Sequence, residues 1–165
     1  MRSAFILVCA VFLASCATAP KTVSEFREAM IKRPAFSKQE VHDISRDFSS
    51  VVNDVKRKST ECLQFGFRTT TQWGSNVSQT TSVFHPRVQV VGVGKAEMTM
   101  QMERQPKSSN APEGGAYVFL ADIGRATPAK TRITMYGTSF PTWQPIFDAI
   151  KGWSEGKNIK CPDTP

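Results

Sequence analysis

Residues 95–104, KAEMTMQMER, place Ala96, Met98, Met100 and Met102 at alternate positions against Glu97, Thr99, Gln101 and Glu103. Side chains two apart share a face only when the backbone is extended, so this stretch reads as a strand with one apolar and one polar side. A strand of this kind needs neighbours, and the flanking sequence offers them. Residues 62–72 (CLQFGFRTTTQ) set Leu63, Phe65 and Phe67 on one face, and the loop around WGSN then turns the chain. A second extended run covers 80–93, where Pro86 predicts an edge or a bulge. The composition of 105–115, QPKSSNAPEGG, marks a loop between hairpin strands, and 116–123 and 131–138 supply two further strands. Within 116–123, Tyr117, Phe119, Ala121 and Ile123 alternate with Val118 and Leu120, so this strand is apolar on both sides. That pattern fits a second covering layer, and it also fits an exposed patch of the kind that marks binding sites.

Helical spacing brackets the strands. Ser24 opens a short segment, SEFREAMIKR, that must end before Pro34. Ser37 with Glu40 three residues later matches a capping box, and Val41, Ile44, Phe48, Val51, Val52 and Val55 continue as one apolar stripe. Lys56, Arg57 and Lys58 close it, where cations suit the helix dipole. At the C-terminal end Trp143, Ile146, Phe147, Ile150 and Trp153 recur at helical intervals, and Gly156 is placed to stop the helix. The expected architecture is α+β, an antiparallel sheet of about four to five strands flanked by an N-terminal and a C-terminal helix on one face.

The first residues carry a different signal. After Arg2 the chain runs apolar from Ala4 to Ala14, about eleven residues, too short at ~1.5 Å each to cross a ~30 Å hydrocarbon core. One cation, a short apolar run and a small-residue exit have the layout of a secretory signal peptide. Leu13-Ala14-Ser15-Cys16 resembles the lipobox of bacterial lipoproteins. That resemblance implies cleavage before Cys16, a diacylglycerol on its thiol and an acyl chain such as palmitate on the new amino group. It divides the chain into a signal peptide at 1–15, a lipidated tether at 16–23 and a single α+β domain at 24–165. Ala17 after the cysteine implies, by the same resemblance, the inner leaflet of the outer membrane with the domain in the periplasm. The tail, an apolar helix followed by Trp153-Ser154, Gly156 and Cys161-Pro162, resembles the ends of small uncharacterised exported bacterial proteins, a likeness of about twenty residues that implies no activity.

Once Cys9 leaves with the signal peptide and Cys16 is consumed by lipid, Cys62 and Cys161 remain. In an oxidising periplasm an even pair predicts a disulfide. The net charge of +7 falls to +6 when Arg2 is removed, which suits a solvated surface or contact with anionic envelope components. No nucleic-acid partner is expected of an exported, tethered chain.

Chemistry is sparse. His42 and His85 are the two histidines, no G-x-S-x-G surrounds a serine, and GVGK at 92–95 lacks the rest of a phosphate-binding loop. Glu97 and Glu103 share a strand but stand six residues apart. Met98, Met100 and Met102 point the same way and are soft ligands suited to monovalent copper. Methionines on an inward strand face also serve as core filler, and only a solvent-accessible stripe could take up metal. No catalytic residue and no cofactor is expected. The sequence therefore points to a non-enzymatic envelope lipoprotein that binds or scaffolds another envelope protein. The alternative is a periplasmic carrier or sensor holding a small ligand or copper between sheet and helices.

Overall fold

The computed structural model describes residues 19–32, 35–107 and 111–163. Six strands form one curled antiparallel sheet: β1 (Ser37–Ile44), β2 (Gly66–Trp73), β3 (Asn76–Gly92), β4 (Lys95–Gln105), β5 (Ala116–Thr127) and β6 (Lys130–Thr138), in the order β1-β6-β5-β4-β3-β2. Three α-helices accompany it: α1 (Val23–Lys32), α2 (Phe48–Leu63) and α3 (Gln144–Ser154). The α+β class holds, with one strand more than the upper end of the expected range.

The extra strand replaces half of a predicted helix. Ser37 does not cap a helix, because residues 37–44 pair along their length with β6, from Ser37 opposite Thr138 to Ile44 opposite Thr131. The cap lies at Asp47, whose extended backbone (φ −66°, ψ 154°) precedes α2 and whose side chain accepts a hydrogen bond from the Ser50 amide at 3.0 Å. At the other end α2 runs on through Cys62 and Leu63, so the second strand begins at Gly66 and not at Cys62.

Alternation assigns the two faces. Ala96, Met98 and Met100 of β4 point inward with Phe84 of β3, Phe119, Ala121 and Ile123 of β5, and Ile133 and Met135 of β6. Onto them pack Val51, Val52 and Val55 of α2 and Ile146, Phe147, Ile150 and Trp153 of α3. The ring pairs Phe119–Phe147 and Phe84–Trp143 meet edge to face at 5.0 and 6.2 Å, an orientation that adds to the burial of their area. Cys62 and Cys161 are bonded, tying the last turn of α2 to the segment after α3. Arg46 stitches the same corner: it donates to the Ser154 carbonyl at the end of α3 at 3.0 Å and to Asp54 of α2 at 2.9 Å.

The apolar residues on the opposite side of the sheet, Leu120 and Tyr136, are covered by Phe26 of α1. Thus the strand that is apolar on both sides has a second layer, and the helices lie on both faces instead of one. Beside this contact Arg27 bonds Asp122 through two nitrogens, at 2.9 and 2.7 Å, and Glu97 at 2.7 Å. The three side chains are each about a third exposed or less. Arg27→Met should lower stability by about 1–3 kcal/mol, between the limits for exposed and fully buried pairs, because it leaves two carboxylates facing each other. Urea unfolding at low and at high salt checks this. The deficit should shrink as salt screens the two carboxylates from each other, and a deficit that is equal at both would assign the loss to packing.

Candidate functional site: an unsupported two-stranded ribbon

β2 and β3 are joined by a two-residue turn, with Trp73 opposite Asn76 and Gly74 at φ +59°, the left-handed region that glycine enters freely. Pairing continues from Trp73–Asn76 to Gly66–Val83. On the other side of β3, however, β4 pairs only as far as Gln105 opposite Thr81. Among the described residues, 69–80 therefore form a ribbon of two strands with no third. At ~3.3 Å per residue it extends about 20 Å beyond the sheet.

The sequence explains both why the ribbon holds its shape and why it is bare. Thr69–Thr80, Thr70–Gln79 and Thr71–Ser78 face each other across it, and β-branched and hydroxyl pairs of this kind favour strand pairing. None of these side chains is large and apolar, so nothing folds a core against either face. Every residue from 68 to 79 is exposed, and Trp73 at the tip is 80% exposed. The inner face of the sheet ends at Phe67, which stacks on Phe84 at 5.9 Å.

β2 is also a sheet edge, and natural edges are usually blunted by charge, proline or a bulge. The other edge, β1, is blunted. Lys38 contacts Glu40 at 2.7 Å and Gln144 of α3, and His42 Nε2 lies 2.9 Å from Glu40. Burial acts to raise the Glu40 carboxyl, but hydrogen bonds from Lys38, His42 and Gln144 outweigh it and hold Glu40 below its ordinary value. Along β2 itself, Arg68 is the one charged residue, and no acid occurs between Glu61 and Glu97. Half the backbone amides and carbonyls of this strand face away from β3, and among the described residues no strand lies beyond them.

The residues singled out from the sequence are distributed elsewhere. Met98 and Met100 are fully buried beneath the helices and Met102 packs against the same cluster, so the stripe is core and lacks the accessibility that copper uptake requires. The inner-face side chains of Phe119, Phe147 and Ile150 are likewise at 0% exposure, which leaves no space for a ligand between sheet and helices at these positions. His42 lies on β1, not on a helix flank. His85 lies on β3, 3.4 Å from Glu103, whose carboxyl is held low first by Lys107. Glu97 belongs to Arg27, so Glu97 and Glu103 do not converge. GVGK forms the β3–β4 turn. Among the described residues no group of three or more His, Cys, Asp or Glu side chains could hold a metal ion. Cys16 lies outside the described residues.

No family model matches the chain, and no curated protein matches it. Among solved structures, a START superfamily protein from Mycobacterium smegmatis aligns with a TM-score of 0.33 at 9% identity, covering 73% of this chain and 95% of that chain. A superposition that loose carries no conclusion about ligand or activity.

Proposed function

We propose that this protein is a non-enzymatic envelope lipoprotein, anchored through Cys16, that binds another envelope protein by pairing an extended segment of that partner with the open edge of β2. The observation that carries the reading is the ribbon at 69–80. An isolated two-stranded hairpin is marginal in water, and one that presents an unblunted edge and an exposed tryptophan is built to be completed by a third strand. Main-chain hydrogen bonds supply the affinity in this mode, and Trp73 and Arg68 supply side-chain selectivity. The Cys62–Cys161 bond supports an exported protein, and the filled inner face favours surface binding over carriage of a ligand.

Shortening the ribbon tests this. Replacing residues 71–78 by Asn-Gly, a favoured two-residue hairpin turn, removes the arm and leaves every buried residue in place. The variant should unfold within about 0.5 kcal/mol of the parent, as expected for exposed positions. In-cell crosslinking and capture of the tagged, lipidated parent should yield a stoichiometric envelope protein that the shortened form fails to retain. Equal recovery by both forms would sink the ribbon as the binding site.

A further inference from the structure

The end of the sheet opposite the ribbon carries a second unusual surface. The end of β3 and the β3–β4 turn expose Val90, Val91 and Val93, the last at 97%. The Arg125 amide of β5 donates to the Gly94 carbonyl at 2.8 Å, which continues the strand pairing into the turn. Around the valines stand Lys95, Arg125 and Lys130, all exposed. Their charge is only partly offset. Lys130 acts through space on Asp43, whose carboxylate is already bonded by Arg132; Arg27 engages Glu97 and Asp122, and none of the ion pairs among the described residues includes Lys95, Arg125 or Lys130. Arg125 lies over the Phe48 ring, 5.6 Å from its centre, which leaves its charge at the surface.

An apolar tip flanked by exposed cations matches the boundary of an anionic bilayer, where valines enter the headgroup layer and cations meet lipid phosphates. The tether points to the same occupant. Arg27, one turn into α1, lines one concavity with Val91 and Lys95. The six residues between Cys16 and Val23 reach about 20 Å at ~3.5 Å each, so a lipid on Cys16 brings the bilayer within range of this tip. We infer that the β3–β4 tip, with Lys95, Arg125 and Lys130, docks onto an anionic phospholipid surface and sets the orientation of the domain on its membrane. This inference rests on the lipid-anchor part of the proposed function and is independent of the ribbon's partner.

Depth-sensitive fluorescence on the lipidated protein in vesicles tests it. With the native cysteines bonded, Val93→Cys and Ser75→Cys each give a single label site, one at each end of the molecule. In phosphatidylcholine vesicles containing phosphatidylglycerol, a bilayer-buried quencher should quench the label at 93 and leave the label at 75 bright. In pure phosphatidylcholine both should stay bright. Adding Lys95→Gln and Lys130→Gln should lower the docked-to-free ratio about thirtyfold, at about a factor of five per cation. Equal quenching at 93 and 75, or quenching at 93 that ignores lipid charge, would overturn the inference. Intact mass of the same preparation reports the lipid by itself, so a failed anchor and a failed docking surface are told apart.

Discussion

Removing the Cys62–Cys161 bond, by the double substitution Cys62→Ser/Cys161→Ser or by reductant, is expected to lower the unfolding free energy by about 4–5 kcal/mol. The two residues are 99 apart in sequence, and closing a loop of that length in the unfolded chain corresponds to about 4.7 kcal/mol in the chain-entropy model. Set against a total of about 5–15 kcal/mol for a domain, that is a large share. The effect should be global and not confined to the tail. α2 and α3 pack on each other and on the inner face through Val55, Ile150 and Trp153, and the bond joins the last turn of α2 to the segment that follows α3. Urea unfolding with and without reductant should show the midpoint falling by roughly 2–3 M at an ordinary slope for this size. An unchanged midpoint would mean that the unfolded ensemble already holds these two segments together.

Where sequence and structure agree, the signal was a side-chain period backed by burial. β4 was legible because Ala96, Met98 and Met100 sit inside while Glu97 and Gln101 are only half-buried, and α3 because Ile146, Phe147, Ile150 and Trp153 share one buried stripe. β1 was not legible, for a physical reason. It is an edge strand that buries only Ile44, and its inward positions Lys38, Glu40 and His42 are polar because they meet the flank of α3 and not the core. Its apolar residues, Val41 and Ile44, happen to continue the spacing of α2. The local clue was Asp47 with Ser50 three residues on, a cap inside the supposed helix. The placement of α1 was hidden differently: Val118 and Leu120, out of phase with Phe119 and Ala121, announced a second apolar face, but nothing in their spacing says which helix covers Leu120. The ribbon had a visible signal, a run of threonines and serines from 69 to 82 with no apolar alternation, which marks a hairpin that has no core to face.

The largest single effect expected is on location. Cys16→Ala should move the protein from fully membrane-bound to extractable by salt, and the magnitudes say why no other contact can substitute. Two or three acyl chains at ~0.8 kcal/mol per buried CH₂ give an anchor of roughly 20 kcal/mol or more, while three surface cations at about 1 kcal/mol each give about 3. The unlipidated chain should therefore associate weakly with anionic membranes and wash off as salt screens the cations. Fractionation at low and at high salt, with intact mass to report the lipid, decides it. Retention of Cys16→Ala at high salt with unchanged mass would end the anchor reading. β3 alone spans the molecule, 17 residues and at most about 55 Å from the turn beside Trp73 to the turn that holds Val93. In the proposed arrangement, with the valine tip on the bilayer, the ribbon would lie at the far end of that strand, the turn beside Trp73 pointing away from the lipid and the open edge of β2 facing sideways to a partner segment.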